Sequence, residues 1–467
     1  MSIKKTIVVT ALATALSVSI VGAAAAAQTQ MKQAIGTQQS SLSINDAMAS
    51  IRSVTLNGIT YMSIRDLGNA VGVYFEVNDK GGVSAFFQGH TIELRGLSKE
   101  IVVDGAAREL QYAVENVNNM YFITLSDFIS AIGAESTLDG AGQVSLSTVQ
   151  KVKDPSRVIW LNASSLLASV IEEEGRFDYI VDAKTGQFTE LLTTTDASDL
   201  VVAPNGQTAA YSVESGAVYV IDLASKQSKA VTYDGSIKPE LVWSADSSAI
   251  YFLQGDKGSV IAKLNLSDGK ISKVLEDKVD YKANLSVSAD GSQFHYTVIK
   301  PGAVTADSSK PVDQDDVAID LTGTEPQVYR FDASIKDGKP EKLTATTDDK
   351  VFVGAAADGS KAFYVSAEDN KLASLVSVAK DKTIAKLIED KDVLQAVMAG
   401  NKIYVLADGG SSEIVYEIDA ATGQKKELST VPNSVTELIV AAGAPIAIVS
   451  DGQVSVDNNG QWKKVTQ

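Results

Sequence analysis

The chain has 467 residues, 45% hydrophobic, 21% charged and 6% aromatic, with 41 basic against 58 acidic side chains and a formal net charge of −17. That much apolar surface excludes a largely disordered chain, and the length calls for two domains or one large repeat domain. The acidic balance argues against nucleic acid or an anionic membrane as main partner, because phosphate binding needs clustered Lys and Arg; with no Cys and only His90 and His295, disulfides, thiol catalysis, Cys-ligated zinc and iron–sulfur clusters are excluded.

The N-terminus reads as a secretory signal over residues 1–27. Lys4 and Lys5 precede an uncharged apolar run over 6–21, and Ala25-Ala26-Ala27 offers a small-residue cleavage site. An uncleaved anchor is the alternative, since about 20 apolar residues span a bilayer. The Ala, Thr and Ser content of the run and the A-x-A site favour cleavage. No Cys follows for lipid attachment, and no later run is long and apolar enough to span. The expected product is secreted or cell-envelope-associated, with no membrane insertion after cleavage. Residues 28–49, rich in Gln, Ser and Thr, are expected to form a flexible leader.

Residues 50–148 contain an internal repeat. Asn57-Gly58-Ile59-Thr60-Tyr61 aligns with Asn118-Asn119-Met120-Tyr121-Phe122, and Ser63-Ile64-Arg65-Asp66-Leu67 with Thr124-Leu125-Ser126-Asp127-Phe128. Each copy predicts a tight Asn turn, a strand, a Ser or Thr N-cap with Asp three residues on, and a short helix ending at Gly72 or Gly133. This doubled pattern resembles the copper amine oxidase N-terminal-like stalk domain of secreted bacterial proteins. The resemblance implies a non-catalytic spacer or binding module. Ser63 and Thr124 stand where the family often has Pro. Oxidase activity is not expected, because that chemistry uses three His copper ligands and a Tyr-derived quinone, and this chain has two His.

After a short linker, 149–156, the chain repeats at intervals near 43 residues over 157–467. The anchor is a turn after an apolar strand: Ala203-Pro204-Asn205-Gly206, Ser244-Ala245-Asp246-Ser247, Ser288-Ala289-Asp290-Gly291, Ala356-Ala357-Asp358-Gly359, Met398-Ala399-Gly400-Asn401 and Ala441-Ala442-Gly443-Ala444. Asn162 marks a degenerate earlier copy, and the gap from Asp290 to Asp358 holds one period plus an insertion. Four short strands per period is the signature of a β-propeller blade, whose apolar faces are hidden by neighbouring blades. The fold class is therefore mainly β, a C-terminal propeller with a small N-terminal α+β repeat domain. Seven blades are expected, or six if residues 157–195 serve differently. The turns and the V-Y-x-I-D strands resemble the TolB-like propeller family.

No nucleophile motif is present, and neither His has a sequence neighbour that gives it a mechanism, so each is expected at the surface or partly packed. No catalytic, cofactor or metal site is assigned. The insertion over 300–327 carries Asp313, Asp315, Asp316 and Asp320, either a solvated acidic, partner-facing loop or a calcium loop that lacks the D-x-[DN]-x-[DN]-G pattern. Trp160 and Trp243, at inner-strand ends two blades apart, either pack against a neighbouring blade or floor an axial pocket. The expected function is a non-catalytic binding or scaffold protein presenting propeller loops to a protein or glycan of the cell envelope. The alternative is an extracytoplasmic hydrolase or lyase using carboxylates in the central cavity.

Overall fold

The computed structural model describes residues 36–45, 47–77, 82–138, 144–306 and 317–467. The expected signal segment lies outside the described residues, as do Asp313, Asp315 and Asp316. Among the described residues no helix is long and apolar enough to cross a membrane. The chain divides into two units, Met1–Val149 and Gln150–Gln467.

In the N-terminal unit a seven-stranded sheet runs in the spatial order Glu135–Leu138, Val144–Ser147, Gln38–Ile44, Ala47–Leu56, Ile59–Ser63, Met120–Ile123, Glu115–Val117. A five-stranded meander, from Tyr74–Val77 to Ala106–Glu109, forms a second sheet. Both repeats place a helix as their sequence predicts, α1 (Ile64–Val71) and α2 (Leu125–Ile132). Ser63 Oγ accepts from the Asp66 N–H and Thr124 Oγ1 from the Asp127 N–H, both at 3.3 Å. Gly72 and Gly133 end the helices in the left-handed region, at φ 81° and 67°. The two Asp residues then diverge. Asp66 takes a bidentate pair of bonds from Arg52, at 2.7 and 2.6 Å, whereas Asp127 accepts from the backbone N–H groups of Gln111 and Tyr112.

The flexible leader expected over 28–49 is corrected for its second half. Residues from Gln38 pair with Ala47–Leu56, and Ser43 and Ile44 lie beside Ser145 and Leu146 in parallel. The reason is an alternation hidden in the polar composition: Ser41-Leu42-Ser43-Ile44 buries Leu42 and Ile44 and exposes or half-buries the serines. Asn45 fastens this edge, donating from Nδ2 to Thr148 Oγ1 and accepting from the Thr148 N–H, both at 2.9 Å.

Among the described residues the C-terminal unit contains seven four-stranded antiparallel sheets, each an up-and-down meander, six of them of consecutive strands and the fourth interrupted by a hairpin. Blades 1 to 7 occupy residues 157–194, 201–232, 241–276, 282–342, 349–388, 393–431 and 435–464. Seven blades are present, and the six-bladed alternative falls. Seven apolar clusters lie in this unit, and each joins two adjacent blades. Phe252 and Trp243 of blade 3 pack with Ala203 and Ala210 of blade 2, and Trp160 and Leu166 of blade 1 pack with Ile439 and Val454 of blade 7. The last interface closes the ring. Blades 1 and 7 share no strand, so closure rests on this packing and on a single parallel bridge, Val152 to Thr466, flanked by the bonds Gln467 N–H to Val152 O and Asp154 N–H to Gln467 O, both 2.8 Å. The insertion predicted between Asp290 and Asp358 lies within blade 4, where the hairpin Ala303–Ala306 with Val317–Asp320 separates the second and third strands.

Candidate binding face

A four-stranded meander has two ends. At one, here the crossover end, lie the turns between second and third strands and the connections from blade to blade. At the other, the turn end, lie the first-to-second and third-to-fourth turns. The two ends differ in chemistry.

Large apolar side chains left exposed in the propeller gather at the crossover end. Ile171 stands beside the second turn of blade 1, Tyr233 and Ile237 between blades 2 and 3, and Val279 and Tyr281 between blades 3 and 4. Ile299 and Leu321 flank the blade 4 insertion, Leu372 tops blade 5, and Val351 and Leu394 open the first strands of blades 5 and 6. Among the described residues only Ile335 and Ile384 are exposed in this way near the turn end.

Charge is divided as well. The crossover end carries Glu172-Glu173-Glu174, Asp196, Asp199 and Glu214 in blades 1 and 2, and Asp408 and Glu413 in blade 6. Asp320 is exposed in the blade 4 hairpin, where its carboxylate accepts from the Thr322 N–H at 2.9 Å. At the turn end the outer turns of blades 1 to 5 each contain Lys, Lys184, Lys226, Lys270, Lys336 and Lys382, and Lys425 opens the fourth strand of blade 6, where it pairs with Asp390 of the blade 5–6 connection at 3.4 Å. Their Asp residues are engaged locally, as when Asp182 Oδ1 accepts from the Thr185 N–H at 2.7 Å. Ser hydrogen bonds likewise hold Asp246 and Asp290 down to about 2 in the inner turns.

Three buried lysines fix the loops of the crossover end. Lys238, Lys282 and Lys350 precede the inner turns of blades 3, 4 and 5 by the same six residues, and each ammonium group has no exposed side-chain surface. Lys238 Nζ donates to the carbonyls of Gly216 (2.8 Å), Ser236 (2.7 Å) and Asp234 (3.0 Å), tying a blade 2 turn to the blade 2–3 connection. Lys282 Nζ reaches Ser259 O at 2.9 Å and Asp277 Oδ1 at 2.6 Å, and Lys350 Nζ reaches Asp348 Oδ1 at 3.0 Å and Asp348 O at 2.7 Å. Desolvation depresses the Lys238 pKa, opposed by Asp234. Gly216 is required in this arrangement: its φ is +87°, and a Cβ there would meet Asp234 O at 2.7 Å. Tyr281 occupies the left-handed region at φ 63°, rare for an aromatic residue, held by its N–H bond to Lys257 O at 2.6 Å.

One position at the start of each blade, in or just before its first strand, carries Arg157, Asp199, Glu240, Asn284, Phe352, Gln395 and Glu437 in blades 1 to 7. Several of these join neighbouring blades. Glu240 Oε1 accepts from the Leu285 N–H at 2.7 Å, and Gln395 Oε1 from the Leu438 N–H at 2.6 Å. Arg157 pairs with Asp199 at 3.4 Å and donates to Leu200 O. Burial pushes the Glu240 and Glu437 carboxyls upward, opposed by backbone hydrogen bonds at Glu240 and by the Arg157 charge at Glu437.

Trp160 and Trp243 are both buried, and each indole N–H donates to a preceding-blade carbonyl, Ile439 O at 3.0 Å and Val201 O at 2.8 Å. Their place is between blades. His90 is exposed, and its Nδ1 lies 2.7 Å from Asp104 Oδ2. His295, expected at the surface or partly packed, is instead fully buried on the central strand Gln293–Val298, opposite Arg330, because it alternates with Phe294 and Tyr296 in a strand covered on both sides. The buried lysines went unrecognised in the sequence, although their constant distance from the inner turn was a usable signal. Among the described residues, no group of three or more His, Cys, Asp or Glu side chains is arranged to hold a metal ion.

Residues 44–146 match the family described as copper amine oxidase N-terminal domain. The match covers the N-terminal unit alone, and no curated protein matches the chain. Among solved structures, the tricorn protease is similar at 9% identity over 90% of this chain, with TM-score 0.46; the chain spans 55% of that longer protein. The β-propeller domain of the Trilobed protease from Pyrococcus furiosus, which has an open velcro topology, is similar at 14% identity over 67% of this chain and 95% of its own, with TM-score 0.43. TolB from Acinetobacter baumannii is similar at 15% identity over 73% of this chain and 79% of its own, with TM-score 0.37.

Proposed function

We propose that this chain is a secreted or cell-envelope-associated, non-catalytic binding protein, whose N-terminal unit is a spacer and whose propeller engages a protein or glycan partner through the crossover end. The observation that carries this reading is the gathering of exposed large apolar side chains at that end, with Ile335 and Ile384 alone near the other among the described residues. The test compares saturable binding of the full chain to solubilised envelope fractions with that of two surface variants, Tyr233→Ser with Leu372→Ser, and Ile335→Ser with Ile384→Ser. The reading expects loss in the first and no change in the second. Equal binding by all three proteins overturns it.

A second reading, a hydrolase or lyase working through carboxylates, is supported by the two upward-shifted carboxyls, Glu240 and Glu437, the latter within the field of Arg157, which pairs with Asp199. It expects turnover of an envelope glycan that Glu437→Gln abolishes; binding of that glycan without turnover favours the first.

A further inference from the structure

Resting on the binding reading, we infer that the crossover end is a docking surface for a cationic, amphipathic polypeptide segment, centred over blades 3 and 4, where apolar side chains of the segment seat on Tyr233, Ile237, Val279 and Tyr281 and its Lys and Arg groups meet the surrounding carboxylates.

Two independent features select this occupant. The apolar contacts lie on adjacent connections: Tyr233 and Ile237 lead into blade 3, and Val279 and Tyr281 lead into blade 4. Beneath them, the Lys238 ammonium group binds the Asp234 and Ser236 carbonyls and the Lys282 ammonium group the Val279 carbonyl and the Asp277 carboxylate, so the apolar side chains stand on loops ordered before any partner arrives. Preordering lowers the entropic cost of association. The second feature is the exposed carboxylate excess around the rim, from Glu172-Glu173-Glu174 through Glu214 to Asp408, with Asp199 already paired to Arg157 and Arg176 and Glu413 buried. Two exposed lysines lie in this patch: Lys257 lies over the Tyr281 ring at 5.8 Å and pairs with Asp280 at 3.4 Å, so its charge is answered within the loop, and Lys278 stands between Asp277 and Val279, outnumbered by the rim carboxylates. A field of one sign accelerates encounter with the opposite sign and rejects its own.

Chemistry excludes the competing occupants in turn. An anionic polymer or anionic lipid surface would be repelled by the rim. A neutral glycan would gain nothing from the carboxylate excess. A second copy facing crossover end to crossover end would set like charges together, although a copy approaching with its Lys-bearing turn end would not, and that arrangement is an outcome of the test.

The probes are three synthetic peptides of about 14 residues: one mixing Lys and Arg with Leu and Trp, one with Glu replacing the basic residues, and one with Ser replacing the apolar residues. Affinity for the full chain is measured by titration calorimetry at low and physiological salt. The expected result is binding of the first peptide, weakened by salt, at least about tenfold tighter than either control. Tyr233→Ser with Ile237→Ser is expected to weaken it about tenfold, and Ile335→Ser with Ile384→Ser to leave it within about twofold. All four residues are exposed, and unchanged melting temperatures establish that the variants fold. Equal binding of the Glu peptide or of the Ser peptide overturns the inference, as does greater loss in the turn-end variant. So does concentration-dependent self-association in sedimentation that the first peptide fails to displace. If no peptide binds while envelope fractions are still held through the crossover end, this inference is overturned and the binding reading stands; if the crossover-end variants affect neither, the binding reading falls.

Discussion

Replacing His295 by Leu should remove most of the mildly acidic instability of the propeller. His295 is fully buried between the strands carrying Ser286 and Arg330, and neither ring nitrogen has a hydrogen-bond partner among the described residues. Burial first, and the Arg330 charge second, lower its pKa from 6.5 to about 4. The folded ring therefore stays neutral while the unfolded ring takes up a proton. Stability is fully present above pH 6.5 and is lost as pH falls towards the folded value. The loss between about pH 7.5 and pH 4 comes to about 3 kcal/mol, a large fraction of the 5–15 kcal/mol typical of a domain. Asp246 and Asp290, held near 2 by their turn hydroxyls, lose their contribution only as pH falls from 3.8 through that value, so the two windows barely overlap. Urea denaturation of wild type and His295→Leu at intervals across the range measures the difference directly. The pH dependence of the variant should be flatter by about 3 kcal/mol over this interval. An unchanged slope between pH 6.5 and 4 would refute the assignment.

Lys238→Met keeps the length of the side chain but leaves the Gly216 carbonyl of the blade 2 turn and the Asp234 and Ser236 carbonyls of the blade 2–3 connection without their donor; urea melts should show a loss of about 3 kcal/mol, whereas Lys257→Met, at an exposed pair, should change stability by less than about 1 kcal/mol. Thr124→Ala removes the α2 cap and the Thr124 Oγ1 bond to Asp127, and a loss of about 1 kcal/mol is expected from denaturation of the full chain. Trp160→Phe deletes the indole donor to Ile439 O where blade 1 meets blade 7; destabilisation of about 1–2 kcal/mol is expected, with faster hydrogen exchange in residues 447–456 than in blade 3.

The repeats made the architecture legible. Ser63, Thr124, Gly72 and Gly133 act locally, through hydrogen bonds and backbone conformations spanning a few residues, so their roles follow from spacing alone. The blade count was legible for a similar reason, since each inner turn marks one sheet. The leader was misread because its Gln and Ser content masks an alternating strand; one partner, Ala47–Leu56, follows directly, but the other, Val144–Ser147, lies about a hundred residues on. His295 was misread because strand position does not reveal that both faces of a blade are covered. Candidate site chemistry was least legible: the crossover end draws Tyr233, Tyr281, Leu372 and Glu413 from different blades, and only the ring brings them to one surface.

Hydrogen–deuterium exchange of the full chain, with and without a saturating envelope fraction, reaches the binding claim most directly. Protection is expected in residues 233–240, 277–284 and 367–373, with the outer turns at 183–187, 266–270 and 333–340 unchanged. Protection confined to those outer turns, or none anywhere in the propeller, would contradict it.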